Sequence, residues 1–240
     1  MLEPGLPLLT MIAANVIMLI ASVLQASVGI GLALLAVPLL ALVDPRLIPG
    51  PMLLAGSFLA LASAYRERYA VDVKSIGLSL LGLAIGTIFG AVALRALSTA
   101  PLGKVFAMLV LLAVALSVSG LRVRPTRLAL FAGGAAAGVM GTMVGIHGPP
   151  IALVLQHARP EQARAMLGAF FFVAYVGSVV ALAAFDLFGV LQLQWAAALL
   201  PGVVAGLCVA PLLAGFLNPT RLRVAILSIS ALSAVVLLWR

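Results

Sequence analysis

Ser27-Val28-Gly29-Ile30-Gly31 and Met143-Val144-Gly145-Ile146-His147 are two versions of one stretch. Each interrupts a long apolar run, and each is followed by a short apolar segment, Leu32 to Val43 in one case and Ile151 to Ala158 in the other. A proline between charged residues closes both: Asp44-Pro45-Arg46 and Arg159-Pro160-Glu161. Further on, Gly82 and Gly86 recur as Gly202 and Gly206, and Lys104 recurs as Arg223. Matches that keep their order imply two related halves, residues 1–121 and 122–240.

The solvent around these halves follows from composition. Of 240 residues, 65% are hydrophobic and 8% charged, with a mean hydropathy of +1.30. So few charges cannot cover a water-soluble chain of this length, so lipid must cover most of the surface. The net charge of +8 comes from basic residues scattered between apolar runs. That is the pattern of membrane-flanking loops and argues against a nucleic-acid partner. Cys208 stands alone and reads as a small packing residue. Met1 to Pro7 has no Lys or Arg, so the first apolar run is expected to stay as a span rather than act as a cleaved signal.

A helix needs about 20 residues to cross the hydrocarbon core. Uncharged runs near that length are Leu6 to Leu24, Leu47 to Tyr65, Ser75 to Leu94, Val105 to Leu121, Leu128 to Gly145, Ala165 to Phe185, Leu187 to Asn218 and Val224 to Trp239. The two short segments read as half-helices or re-entrant pieces. Backbone can break at membrane depth only where protein or a cavity satisfies it. The expected fold is therefore an all-α polytopic membrane protein of two repeats with about five helical segments each. An odd number per half makes the second repeat inverted. With the N-terminus outside, Arg66, Arg68, Lys74, Arg122, Arg124, Arg127, Arg159, Arg164, Arg221 and Arg223 lie inside. Arg46, Arg95, Lys104 and Arg240 lie outside, a distribution that follows the positive-inside rule.

The interruptions hold the candidate chemistry. A helix that stops and restarts presents unpaired N–H groups and the positive end of its dipole, which suits an anion. Gly29, Gly31, Gly145 and Gly148 let the backbone turn and approach a ligand, and Pro149 and Pro150 suit the first turn of the restarted helix. Inverted repeats would bring the two breaks together near the midplane. His147, the one ionisable side chain in the second break, either meets the anion or bonds a free backbone carbonyl. Gln25, Ser27 and Gln156 either orient an oxyanion or bond a neighbouring helix, and Asn15, Ser57 and Tyr175 are weaker candidates. Arg164 is an interfacial anchor or an inner-gate cation, and His157 an interfacial residue. The GxxxG spacings at Gly82, Gly86 and Gly90, and at Gly202 and Gly206, are expected to serve close helix packing. No triad, HExxH, metal-spaced Cys/His cluster or Walker loop is present, so neither an enzyme nor a cofactor or metal site is expected.

Ser27-Val28-Gly29-Ile30-Gly31 with Pro38-Leu39-Leu40, and Gly145-Ile146-His147-Gly148-Pro149-Pro150 with Arg164, resemble the paired signatures of the TauE/SafE sulfite-exporter family. The resemblance covers essentially the whole chain. It implies a bacterial inner-membrane permease for sulfite, organosulfonates or related organic acids, with the glycine-rich breaks as the substrate site. Two departures stand out: Ile30 and Leu32 intervene among the first signature's glycines, and His147 occupies a position that is usually glycine. Both narrow and re-polarise the site. Outward movement of a small anion by alternating access is the expected function, with an anion-selective channel and a non-transporting membrane scaffold as rivals. The expected partners are the anion and the lipid bilayer, and a homodimer is compatible with this reading.

Overall fold

The structure, a computed structural model, describes residues 6–29, 32–66, 68–70, 73–97, 102–213, 215 and 218–239. Among them are ten α-helices: α1 Leu8–Val28, α2 Leu32–Val43, α3 Gly50–Arg66, α4 Val73–Ala96, α5 Leu102–Val118, α6 Arg127–Val144, α7 Gly148–Leu155, α8 Pro160–Ala184, α9 Val190–Leu213 and α10 Pro219–Leu238. By length and composition, six are long and apolar enough to cross a membrane, namely α1, α4, α6, α8, α9 and α10. The chain is a multi-pass helical membrane protein. Its outer surface agrees, since Leu81, Ile85, Ile88, Phe89 and Val92 on α4 and Val173, Val176 and Val180 on α8 are exposed where lipid would lie. Helices are the natural solution for such a chain, because in hydrocarbon each backbone polar group must find its partner within the segment.

The glycines decide how the helices meet. A Cβ at Gly82 would fall on the backbone of Phe131, and one at Gly86 on that of Ala135. One at Gly90 would come 2.9 Å from the Val139 carbonyl, so α4 and α6 run parallel at backbone contact. Gly202 and Gly206 of α9 meet Asn15 and Leu19 of α1 in the same way, so α1 and α9 are also parallel. Gly56 beside Tyr175 and Gly168 beside Ala64 set α3 and α8 antiparallel. These contacts are the close-packing use of small residues expected at GxxxG spacing.

One end of the bundle is basic. It gathers the C-terminal end of α3 with Arg66, the start of α8 with Arg164, the start of α6 with Arg127 and the start of α10 with Arg223. Arg223 donates to the Ser117 carbonyl at the end of α5, 2.7 Å away. At the opposite end two arginines are paired with acids, Arg46 with Asp44 at 2.7 Å and Arg95 with Asp186 at 3.5 Å. Arg46 also lies over the Trp195 ring.

Near prolines inside helices, side chains of neighbouring helices bond backbone groups. Pro38 of α2 has no N–H for the Leu34 carbonyl, and the buried Ser230 hydroxyl of α10 lies 2.6 Å from that oxygen. Beside Pro201 of α9, Asn15 accepts from the Gly202 N–H at 2.7 Å and donates to the Ala198 carbonyl at 2.8 Å, the two groups of one helical rung. Asn15 thus ties α1 to α9.

Candidate functional site

Both interruptions turn at a left-handed glycine. Gly29 ends α1 at φ 79° and Gly145 ends α6 at φ 90°. Each amide bonds back one turn, Gly29 N to the Gln25 carbonyl at 2.8 Å and Gly145 N to the Gly141 carbonyl at 2.6 Å. This conformation costs an L-residue about 1–2 kcal/mol, which is why glycine stands at both. Gly31, the other first-break glycine, lies outside the described residues.

Gln25 closes the first break. Its amide nitrogen donates to the Gly29 carbonyl at 3.2 Å, and its Oε1 accepts from the Leu32 N–H at 3.3 Å. One of the amides at the start of α2 is therefore already satisfied by protein. In the second break the counterpart of Gln25 is Gly141, and the space above it is filled by the His147 imidazole. The polar group has changed places: one half carries Gln25 and Gly31, the other Gly141 and His147. His147 is fully buried, with Nε2 3.0 Å from the Ser178 hydroxyl, which lies 2.9 Å from that of Thr142. Its ring leans on Tyr175 at 5.3 Å between centroids. Nδ1, near the Gly145 backbone, meets no group at hydrogen-bonding geometry among the described residues. His147 thus joins the end of α6 to α8, and the cavities described next do not include it in their walls.

Three cavities meet at the breaks. The largest, about 460 Å³, is a vestibule at the basic end. Its walls include Gln25, Ser27 and Gly29 of the first break, Ser63 and Arg66 of α3, Arg164 of α8 and Pro211 of α9. The Ser27 Oγ atom is buried without a partner among the described residues. A smaller cavity of about 10 Å³, room for about one water, lies between Gln25, Ala33 and Leu34 on one side and Ile146, Gly148 and Pro149 on the other. Phe171 and Tyr175 close it. The first turns of α2 and α7 therefore face one shared gap. Pro149 and Pro150 carry no N–H, so the first-turn amides left to α7 are those of His147 and Gly148. The third cavity, about 240 Å³, includes Pro149, Gln156 and Arg223 in its wall.

Of the other candidates, Gln156 is exposed, donates to the Leu121 carbonyl at 2.9 Å and is not in the vestibule wall. Ser57 bonds back to the Leu54 carbonyl at 2.7 Å. His157 is exposed. Two residues that matter here were not singled out by sequence, Arg66 and Ser63. As sequence, Arg66 is indistinguishable from any interfacial arginine. Among the described residues no three His, Cys, Asp or Glu side chains converge to hold a metal.

A multi-pass helical protein with paired helix breaks facing one gap, and an arginine-bearing vestibule leading to it, has the architecture of a membrane permease. The chain matches the family described as Sulfite exporter TauE/SafE over residues 14–237, and it belongs to that family. The family's members are membrane transporters, not enzymes, and the family implies a small anionic substrate and membrane lipid as partners. No curated protein and no solved structure matches the chain.

Proposed function

We propose that this protein exports a small oxyanion, sulfite or an organosulfonate, across the bacterial inner membrane by alternating access between two inverted repeats. One observation carries the reading: a vestibule at the basic end places Arg66 and Arg164 around the Gly29 break, with Ser27 and Ser63 also in its wall. Guanidinium groups recognise planar or pyramidal oxyanions through paired N–H donors. Beyond the vestibule the gap between the breaks holds only about 10 Å³, and Met52 and Val37 fill the space where a side chain at Gly145 would stand.

The helix pairing supports the inverted repeat, with residues 1–121 and 122–240 as its units. Exchanging α1–α5 for α6–α10 maps α1 with α9 onto α6 with α4, α2 with α10 onto α7 with α5, and α3 with α9 onto α8 with α4. Directions agree as well. The ends of α1, α3 and α9 share the vestibule, α4 returns from the end of α3, and α6 is parallel to α4. The first helix of each half thus runs in the opposite sense. Of the residues proposed to touch substrate, Gln25, Ser27 and Gly29 line the vestibule, while Gly145 and Gly148 shape the gap. His147 acts by positioning the second break.

With the basic end inside, a membrane potential negative inside drives each negative charge outward by about 2.3 kcal/mol per 100 mV. Export then needs no coupling ion. Purified protein in liposomes should carry sulfite down the electrical gradient when a potassium–valinomycin potential is imposed, with saturation and counterflow. Sustained uptake against the potential, without any ion gradient, would overturn the proposed direction.

A further inference from the structure

The cavity of about 240 Å³ between α5, α7, α8 and α10 has a graded lining. At the basic end its wall carries Arg223, Gln156 and Ser117, while its deeper wall is apolar, with Leu34, Leu153 and Leu227 among its residues. Arg223 is held by one contact, donation to the Ser117 carbonyl, and its remaining N–H groups meet no partner among the described residues. The positions of Pro149 and Gln156 along α7 put the two ends of the cavity about 10 Å apart at 1.5 Å per residue. The volume is just below the range of about 300–1,000 Å³ typical of drug-sized ligands. A bare oxyanion would leave the apolar wall empty, and an uncharged hydrocarbon would make no use of the Arg223 guanidinium exposed at the cavity's basic end.

We infer that this cavity is a second binding site, next to the vestibule and sharing Leu167 in its wall, for a single-chain amphiphilic anion. Its head group pairs with Arg223 beside the Gln156 amide, and its alkyl body lies along α7 toward Pro149. The site does not depend on the transport reading, since its ligand class follows from this lining alone. An alkyl sulfonate or carboxylate from solution and an anionic lipid with one chain tucked inward present the same chemistry.

The test uses the full chain in nanodiscs of zwitterionic lipid, with octanesulfonate as the probe and thermal unfolding followed through Trp195 and Trp239. Octanesulfonate should raise the unfolding temperature saturably, as a native-state ligand must. Chain-matched octyltrimethylammonium and octanol should not. Arg223→Gln and Ala152→Phe, which removes the cation in one case and fills the apolar chamber in the other, should each weaken the effect about tenfold or more. Arg221→Gln, two residues away on the opposite side of α10 and outside the cavity, should leave it unchanged. Adding phosphatidylglycerol to the nanodiscs distinguishes the sources: competition assigns the site to lipid, and its absence to a soluble amphiphile, both upholding the site. An octanesulfonate shift that persists undiminished in properly folded Arg223→Gln and Ala152→Phe, or no saturable shift at all in the unmodified protein, would overturn the inference.

Discussion

At the scale of single residues, the breaks are held by packing and hydrogen bonds more than by free amides. His147 shows why. Its imidazole occupies the place where Gly141 lacks a side chain, so Gly141→Ala should evict it and destabilise the protein by about 1–3 kcal/mol. Gly177→Ala, at a helical position with nothing within 4 Å, should be neutral or gain up to about 1 kcal/mol. Unfolding of both variants in a mixed-micelle denaturant titration checks the contrast. Ser230 gives a second case: Ser230→Ala would leave the Leu34 carbonyl unpaired beside Pro38, and the same titration should report a loss of about 1–3 kcal/mol. Sequence marked His147 as a residue at membrane depth but could not choose between anion and protein as its partner. That choice depended on Ser178, 31 positions further along the chain, which carries no motif. Asn15 was read as a candidate for orienting substrate for the same reason, and the structure places it across the Gly202–Ala198 rung instead.

At the scale of elements, the helices and their interruptions were largely legible. Uncharged runs marked the spans, and the glycines marked where each half-helix begins, with Pro149 and Pro150 adding to the second, because those residues change backbone geometry wherever they stand. The interlock of α4 and α6 was legible as GxxxG spacing on α4, but its partner was not, since Gly134 and Gly138 on α6 meet it only in three dimensions. The turn closing α2 shows a local electrostatic device that sequence could suggest only as charge-Pro-charge. Hydrogen bonds from Arg46 hold the Asp44 carboxyl below the usual carboxylate value of 3.8. A depressed folded-state pKa contributes stability above the unfolded value, and that contribution fades as pH falls through the folded one. Asp44→Asn should therefore cost up to about 1 kcal/mol at neutral pH, a modest figure because the partner arginine is 44% exposed to solvent. The cost should shrink below about pH 4, which thermal unfolding of the two proteins across acidic pH would show.

At the scale of the whole molecule, the separation of a strongly basic end from one with few basic residues was readable from the scatter of basic residues alone, since the positive-inside rule acts on loops and not on packing. The vestibule was not readable. Arg66 and Arg164 are almost a hundred positions apart, and only the antiparallel docking of α3 on α8 brings both to one cavity wall. The account rests on that cavity being the anion's way to the breaks. The measurement that bears on it most directly is the concentration dependence of potential-driven sulfite efflux from liposomes, compared for Arg66→Gln, Arg164→Gln and Arg95→Gln at matched protein content. Losing one charge-assisted contact at the vestibule should raise KM about tenfold, equivalent to about 1.4 kcal/mol, while Arg95→Gln at the opposite end stays near the unmodified protein. Unchanged KM and rate in both vestibule variants would contradict the account.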